Sequence, residues 1–371
     1  MPEINADHIT ETFLELVKIN ALSLEERPVN DYIIEKLRSW DFDFIEDNAG
    51  EKTGGNAGNI IVRVPGKSNS AKPFFLCSHT DTVRPTKDLQ PVIENGVISS
   101  AGDTILGADN RAGIAILLSL LEQVASSDFE HNNFEVIFTI AEEIGLIGAS
   151  NVDWTQVQAE SGYVFDSSRP PGDYIAHTSS AMKFSIDVIG AEAHAGVAPE
   201  KGVNAISMAA EVVTRFPVGR IDDETVANIG VIRGGEATNV VAGKVHLDGE
   251  IRSFNPQTME RLIKDLRRSL DDVSQKFGGS YEMHDKKEFA GFSISESEPI
   301  AQHLHKKMQV VGLTPAPQVY SGGSDANVFN AIGKPTLNLG IGQKNPHANN
   351  ECIAVADLTK MTELAMALVS P

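Results

Sequence analysis

Five short stretches of this chain carry side chains able to bind a cation or move a proton. Ser78-His79-Thr80-Asp81-Thr82 follows directly on the apolar run 74–77. If that run is a strand and continues, His79 and Asp81 share a face, because strand side chains alternate. An imidazole is a ready metal ligand, and a carboxylate beside it orients the ring and raises its basicity. Taken alone, a His-x-Asp pair is more often a buried hydrogen bond than a metal site. Asp109 falls where a strand-to-helix connection is expected, the ordinary place for a helix N-cap. Glu142-Glu143 ends the apolar run 134–140, Asp166 ends Tyr163-Val164-Phe165, and His347 follows the glycine-rich 339–342 and Pro346.

Together these residues say more than each does singly. Ligands in α/β folds gather beyond the carboxyl ends of strands, and a cluster of carboxylates repels itself unless cations occupy it. A donor set of His and carboxylate without a thiolate cluster suits zinc, with cobalt and manganese as alternatives. Ser321-Gly322-Gly323-Ser324-Asp325 is able to wrap a polar or anionic substrate with backbone N–H groups, since glycine permits close turns. The chain has no phosphate-binding loop, no dinucleotide fingerprint, no G-x-S-x-G elbow and no H-E-x-x-H helix.

The elements that must position these residues follow from periodicity. Helices are predicted over 5–17, 29–40, 112–124, 203–215, 258–277, 295–312 and 358–369, and strands over 59–64, 74–77, 134–140, 163–165, 182–188, 228–232, 244–253, 281–284 and 335–340. Up to about residue 175, strands and helices alternate and the strands are nearly continuous apolar runs. That pattern predicts an α/β fold with a mixed, mostly parallel sheet flanked by helices that carries the metal site. From 175 to 291, alternating strands with two helices predict a smaller α/β sandwich, inserted into a domain made from both ends of the chain.

Composition narrows the functions. The 371 residues carry 31 Lys+Arg against 51 Asp+Glu, a net charge of -20, and the basic cluster 264–268 stands alone. Nucleic acid and anionic membranes are therefore poor partners, and an anionic substrate group would need a local cation to attract it. Cys77 and Cys352 lack C-x-x-C spacing and read as reduced thiols. The N-terminal stretch lacks a signal-peptide pattern and no apolar run reaches the length of a membrane span, so a cytoplasmic protein is expected.

The segments His79-Thr80-Asp81-Thr82-Val83, Gly107-Ala108-Asp109-Asn110-Arg111-Ala112-Gly113, Ala141-Glu142-Glu143-Ile144-Gly145, Phe165-Asp166, Ala193-His194-Ala195-Gly196 and Pro346-His347 span nearly the whole chain. In kind and order they resemble those of the M20 family of co-catalytic metallopeptidases, most closely its peptidase T-like branch. The resemblance implies two divalent metal ions, His79 and Asp166 holding one, Glu143 and His347 the other, and Asp109 bridging. It makes Asp81 the carboxylate behind His79, Glu142 the general base, and the bond between Asp109 and Asn110 cis.

It also implies a catalytic domain over 1–174 and 292–371 and an inserted lid and dimerisation domain over 175–291, hence a homodimer. His194 would reach the scissile carbonyl, in its own or the neighbouring subunit. Asn239 and Arg252 would engage the substrate, and the guanidinium fork of Arg252 matches a substrate carboxylate. The implied activity is hydrolysis of short peptides, with release of the N-terminal residue of tripeptides. The alternatives are an N-acyl amino acid amidohydrolase, a carboxypeptidase, and a non-catalytic peptide-binding protein on the same fold.

Overall fold

The computed structural model describes residues 4–66 and 73–371, and the chain divides into two compact units. The larger comprises the described residues up to His177 together with Ser293–Tyr320 and Ser324–Pro371; the smaller is Thr178–Phe292 with Ser321–Gly323.

The larger unit is built on an eight-stranded sheet. Its middle is parallel: Phe74–His79 lies between Phe134–Thr139 and Gly162–Ser167, and Thr336–Gly340 extends the parallel run beyond the latter. These strands are buried almost throughout, as expected where helices cover both faces. Toward one edge Ile60–Val64 and Asp43–Glu46 pair antiparallel, and toward the other Asp173–Thr178 does so, with Ala316–Tyr320 outermost. The mixed character predicted from sequence thus resolves into a parallel centre with antiparallel margins. His79 pairs with Thr139 in register, so the strand ends bearing His79, Glu142-Glu143 and Asp166 open on the same rim of the sheet.

Helix Ala108–Ser126 packs on Phe74–His79 and Gly162–Ser167 from one face, backed by Ala6–Val17 and Val355–Val369. Helix Asp325–Ala331 packs from the other face, where the Phe329 ring meets Phe75 edge-on at 5.1 Å. Strand alternation places Phe75, Cys77 and His79 toward that second helix and Ser78 toward the first. Gly113 lets the first helix come close: a Cβ there would lie 2.4 Å from the Phe165 carbonyl oxygen and 2.6 Å from Ser78 Oγ. That approach carries Asp109 over the strand ends.

The smaller unit is a five-stranded antiparallel sheet in the order Gly219–Asp222, Thr225–Gly234, Lys244–Ser253, Ser180–Ile189, Ser280–Phe289. Ala205–Arg215 and Pro256–Phe277 cover one face, burying Phe184, Ile186, Leu247, Met208 and Leu266 among others. Alternate residues such as Lys183, His246, Asp248 and His284 stand off the core, the one-sided pattern of an antiparallel layer. Several predicted elements are longer than the sequence signal: residues 281–284 become Ser280–Phe289, and 228–232 becomes Thr225–Gly234. Among the described residues no helix is long and apolar enough to cross a membrane.

Gly113→Ala forces the helix off the strands or distorts it, and should lower stability by about 1–3 kcal/mol. A chemical-denaturation midpoint equal to that of the parent would show that the helix does not depend on this approach.

Candidate metal centre

The strand carrying His79 ends at that residue, so Asp81 does not share its face by strand alternation; it turns back to the ring from the following loop. His79 Nδ1 lies 3.2 Å from Asp81 Oδ1. With that nitrogen donating, Nε2 presents its lone pair to the site. Asp81 is fully buried and also accepts from Ser23 Oγ at 2.6 Å and from the backbone N–H groups of Glu142 and Glu143 at 3.0 and 3.2 Å. One carboxylate therefore orients the ring and pins the backbone of both glutamates. Burial pushes the Asp81 carboxyl up, but His79, the Ser23 hydroxyl and the Glu142 amide outweigh it and hold it below the usual carboxylate range.

Asp109 sits at a kink that opens its helix. Asp109 and Asn110 leave helical geometry, the bond between them is cis, and Asn110 Oδ1 accepts from the Gly113 N–H at 3.1 Å. The two oxygens of Asp109 point to different histidines: Oδ1 lies 3.2 Å from His79 Nε2 and Oδ2 lies 3.1 Å from His347 Nε2. Asp166 Oδ1 joins the first group at 3.3 Å from His79 Nε2, and Glu143 Oε1 joins the second at 3.2 Å from His347 Nε2. Each group offers one nitrogen and two carboxylate oxygens within 4.8 Å of one another, and His79, Glu142 and Glu143 form a third such group.

The electrostatics are those of an unbalanced anionic pocket. Burial raises the proton affinity of Glu142, Glu143 and Asp166, and repulsion from neighbouring carboxylates adds to it in each case. Asp109 goes the other way: burial pushes it up, yet His347 and His79 hold it well below its ordinary value. Asp109 and Glu143 hold the half-exposed His347 up to about 10. Burial lowers His79, but its three carboxylate partners keep it well above the usual imidazole range.

Divalent cations fit these residues. Each imidazole Nε2 faces two carboxylate oxygens with at most one proton to share, and buried Glu143 Oε1, though 3.2 Å from His347 Nε2, has no well-aligned hydrogen bond. A cation at each convergence point would take a lone pair from each donor atom there, and Asp109 could serve both because it offers a different oxygen to each.

The remaining expected residues belong to the smaller unit. His194 is exposed, its Nδ1 accepting from the Gly196 N–H, and Asn239 is exposed with its carbonyl accepting from Ala195. Arg252 has partners within its unit: Nε and Nη2 reach Glu250 at 3.2 and 3.3 Å, and Nη1 donates to the Ser321 carbonyl at 3.0 Å. Gly322 and Gly323 stand in the loop beside Ser321, and a Cβ at Gly323 would strike the Phe289 ring.

Sequence reasoning passed over several residues that support the centre. Glu351, fully buried, accepts from the N–H groups of Gly107 and Asp109 at 2.6 and 2.9 Å. Glu26, also buried, accepts from Leu24 and Ala141. Arg111 donates to the Thr80 and Ile19 carbonyls; burial pushes it down to about 10 against the opposing pull of Asp81 and Glu26. Asp325, pushed up to about 7 by burial, accepts from Thr139 Oγ1 at 2.5 Å. Arg111 stands within the segment 107–113, where nothing in the sequence marks its role; Glu26 and Glu351 carry no signal of spacing at all.

Residues 176–277 match the family model for a peptidase dimerisation domain, and residues 59–169 match that for peptidase family M28. The chain is 35% identical to the uncharacterized protein YqjE of Bacillus subtilis over 99% of this chain and 98% of that one. Two solved structures align over 99% of this chain and 98% of each of theirs: an aminopeptidase PepT from Bacillus cereus at 34% identity and TM-score 0.91, and a tripeptidase from Staphylococcus aureus at 31% identity and TM-score 0.94. The protein belongs to the M20 family of metallopeptidases, in its peptidase T-like branch.

Asp81→Asn keeps the volume but presents an amide where the ring and two backbone N–H groups need acceptors. It should weaken divalent-metal binding by about 10–100-fold, as read by equilibrium dialysis against a chelator of known affinity.

Proposed function

We propose that the protein is a co-catalytic metallo-aminopeptidase that removes the N-terminal residue from short peptides, tripeptides above all. The observation that carries this reading is the pair of donor groups joined by the two oxygens of Asp109. The full-length similarity to an aminopeptidase and a tripeptidase supports the choice of substrate.

In this reading His79 and Asp166 hold one ion, Glu143 and His347 the other, and Asp109 bridges, with zinc the best match to the mixed donors and cobalt or manganese able to replace it. Two such cations supply Lewis acidity and a water ionisable near neutral pH. Glu142, which no histidine nitrogen within hydrogen-bond reach claims among the described contacts, takes the proton of the attacking water at its carboxylate. It then returns that proton to the leaving nitrogen. Its burial favours the protonated form it must reach between the two steps. Asp81 keeps Nδ1 of His79 as the donor and fixes the Glu142 backbone, so the base stays aimed without moving its main chain.

His194 is assigned to the oxyanion that develops on the scissile carbonyl, Asn239 to the peptide, and Arg252 to its C-terminal carboxylate. The N–H groups of Gly322 and Gly323 complete the substrate contacts. Because Arg252 is engaged by Glu250, its charge reaches a substrate partly compensated. That favours a modest, exchangeable hold on the product over a tight one. Two copies pair through the smaller unit, whose match to a dimerisation domain supports this. The setting is the cytoplasm, supported by two unpaired cysteines, with neither nucleic acid nor membrane as partner.

A matched panel tests the reading: free di- and tripeptides, their N-acetylated and C-amidated forms, and simple N-acyl amino acids, each under zinc, cobalt and manganese. Free tripeptides should be cleaved and N-acetylation should abolish cleavage. Preferred hydrolysis of acylated substrates would replace the aminopeptidase by an amidohydrolase on the same centre.

Glu142→Gln should retain both metal ions by elemental analysis while turnover falls about 10²–10⁴-fold. Undiminished turnover in that variant removes Glu142 from the role of base.

A further inference from the structure

We propose that Glu351 is a positioning residue that sets the Asp109 turn in its ligating geometry, in register with His347, before any cation arrives. The proposal rests on the reading of Asp109 and His347 as metal ligands, and it adds what holds the two together.

The start of helix Ala108–Ser126 has unmet backbone donors. Gly107 has a left-handed φ of 74° and no side chain to cap the helix, and Asp109 and Asn110 depart from helical geometry. Glu351, 244 residues on from Gly107, supplies the missing acceptors from outside. Its Oε2 takes the Gly107 N–H at 2.6 Å and its Oε1 takes the Asp109 N–H at 2.9 Å. Only a carboxylate offers two equivalent acceptor oxygens, and here each has its own donor. The side chain is fully buried, so water does not replace these bonds.

Glu351 also belongs to the loop that carries His347. Its own N–H closes a turn onto the Ala348 carbonyl at 3.0 Å, and the Lys344 and Cys352 backbones pair across the base of the loop. Arg84 ties the same loop to the segment following Asp81 through Asn349 Oδ1 at 2.9 Å. A displacement of the loop therefore moves His347 and the Asp109 turn together, and the spacing between their donor atoms is kept. Positioning contacts of this kind typically change metal affinity by about 10–100-fold when removed.

Glu351→Gln leaves one acceptor and turns an NH2 toward an N–H donor. Metal-stripped protein, shown to be folded by circular dichroism, is titrated with cobalt(II) alone and followed by visible absorption. The parent should take two equivalents. The variant should bind about 10–100-fold more weakly, with tripeptide turnover restored at saturating cobalt and KM unchanged, which a merely structural loss would not give. Parental cobalt affinity in the variant overturns the proposal. Failure of the parent itself to bind cobalt overturns instead the metal reading beneath it. If the variant does not fold, amide hydrogen exchange on the metal-stripped parent decides. Protection at Gly107 and Asp109 is expected, and exchange at the rate of exposed amides overturns the proposal.

Discussion

Four carboxylates, those of Asp109, Glu142, Glu143 and Asp166, converge on two imidazoles at the rim of a buried sheet, and the repulsion among them is the constraint that everything else must accommodate. Two like charges 4 Å apart interact by about 4 kcal/mol at an effective dielectric near 20. A few such pairs equal the whole folding stability of an ordinary domain, about 5–15 kcal/mol. The scaffold must hold these residues together against that repulsion, which a cation at each donor group would relieve. The parallel strands beneath are accordingly buried on both faces, and the helix over them is seated through a glycine.

The scaffold's answer is to fix main chain as well as side chains. Asp81 accepts two N–H groups from the Glu142-Glu143 turn, Glu351 two from the Asp109 turn, and Glu26 two, one of them from Ala141 immediately before the glutamates. Asp81 and Glu351 thereby hold backbone that carries donor residues, and Glu26 holds the residue just before the two glutamates. Backbone N–H groups are suitable partners because they stabilise a buried anion without titrating. Arg111, buried within the influence of Asp81 and Glu26, offsets part of the negative charge that this device accumulates.

The sequence made the parallel centre legible because its strands are unbroken apolar runs, and it made the donor residues legible because they sit where those runs stop. It was silent on Glu26 and Glu351, since a carboxylate that clamps distant backbone has no periodic or local signature. Alternation does not report the turn of Asp81 back toward His79 either: the strand stops at His79, and the Asp81 carboxylate reaches the ring and the Glu142 and Glu143 amides from the loop beyond it. The short strands Pro91–Glu94, Val97–Ser100 and Cys352–Ala354 went unread as well, because they form a separate three-stranded layer too brief to show a period. Nor does anything in Ser321-Gly322-Gly323 indicate that the loop packs with residues more than thirty positions earlier, such as Phe289 and Arg252.

The larger unit is discontinuous in sequence, and this has a temporal meaning. Asp109 and His347 are 238 residues apart, so at a synthesis rate of about 5–20 residues per second the second donor group lacks its histidine for tens of seconds after Asp109 is made. Until then the chain has His79, Asp109, Glu143 and Asp166 but no second imidazole, no Glu351 and no Thr336–Gly340 strand beside Gly162–Ser167. The second donor group, and with it the acceptors that Glu351 offers the Asp109 turn, can therefore form only after the His347 loop has been made, however early the first strands pair.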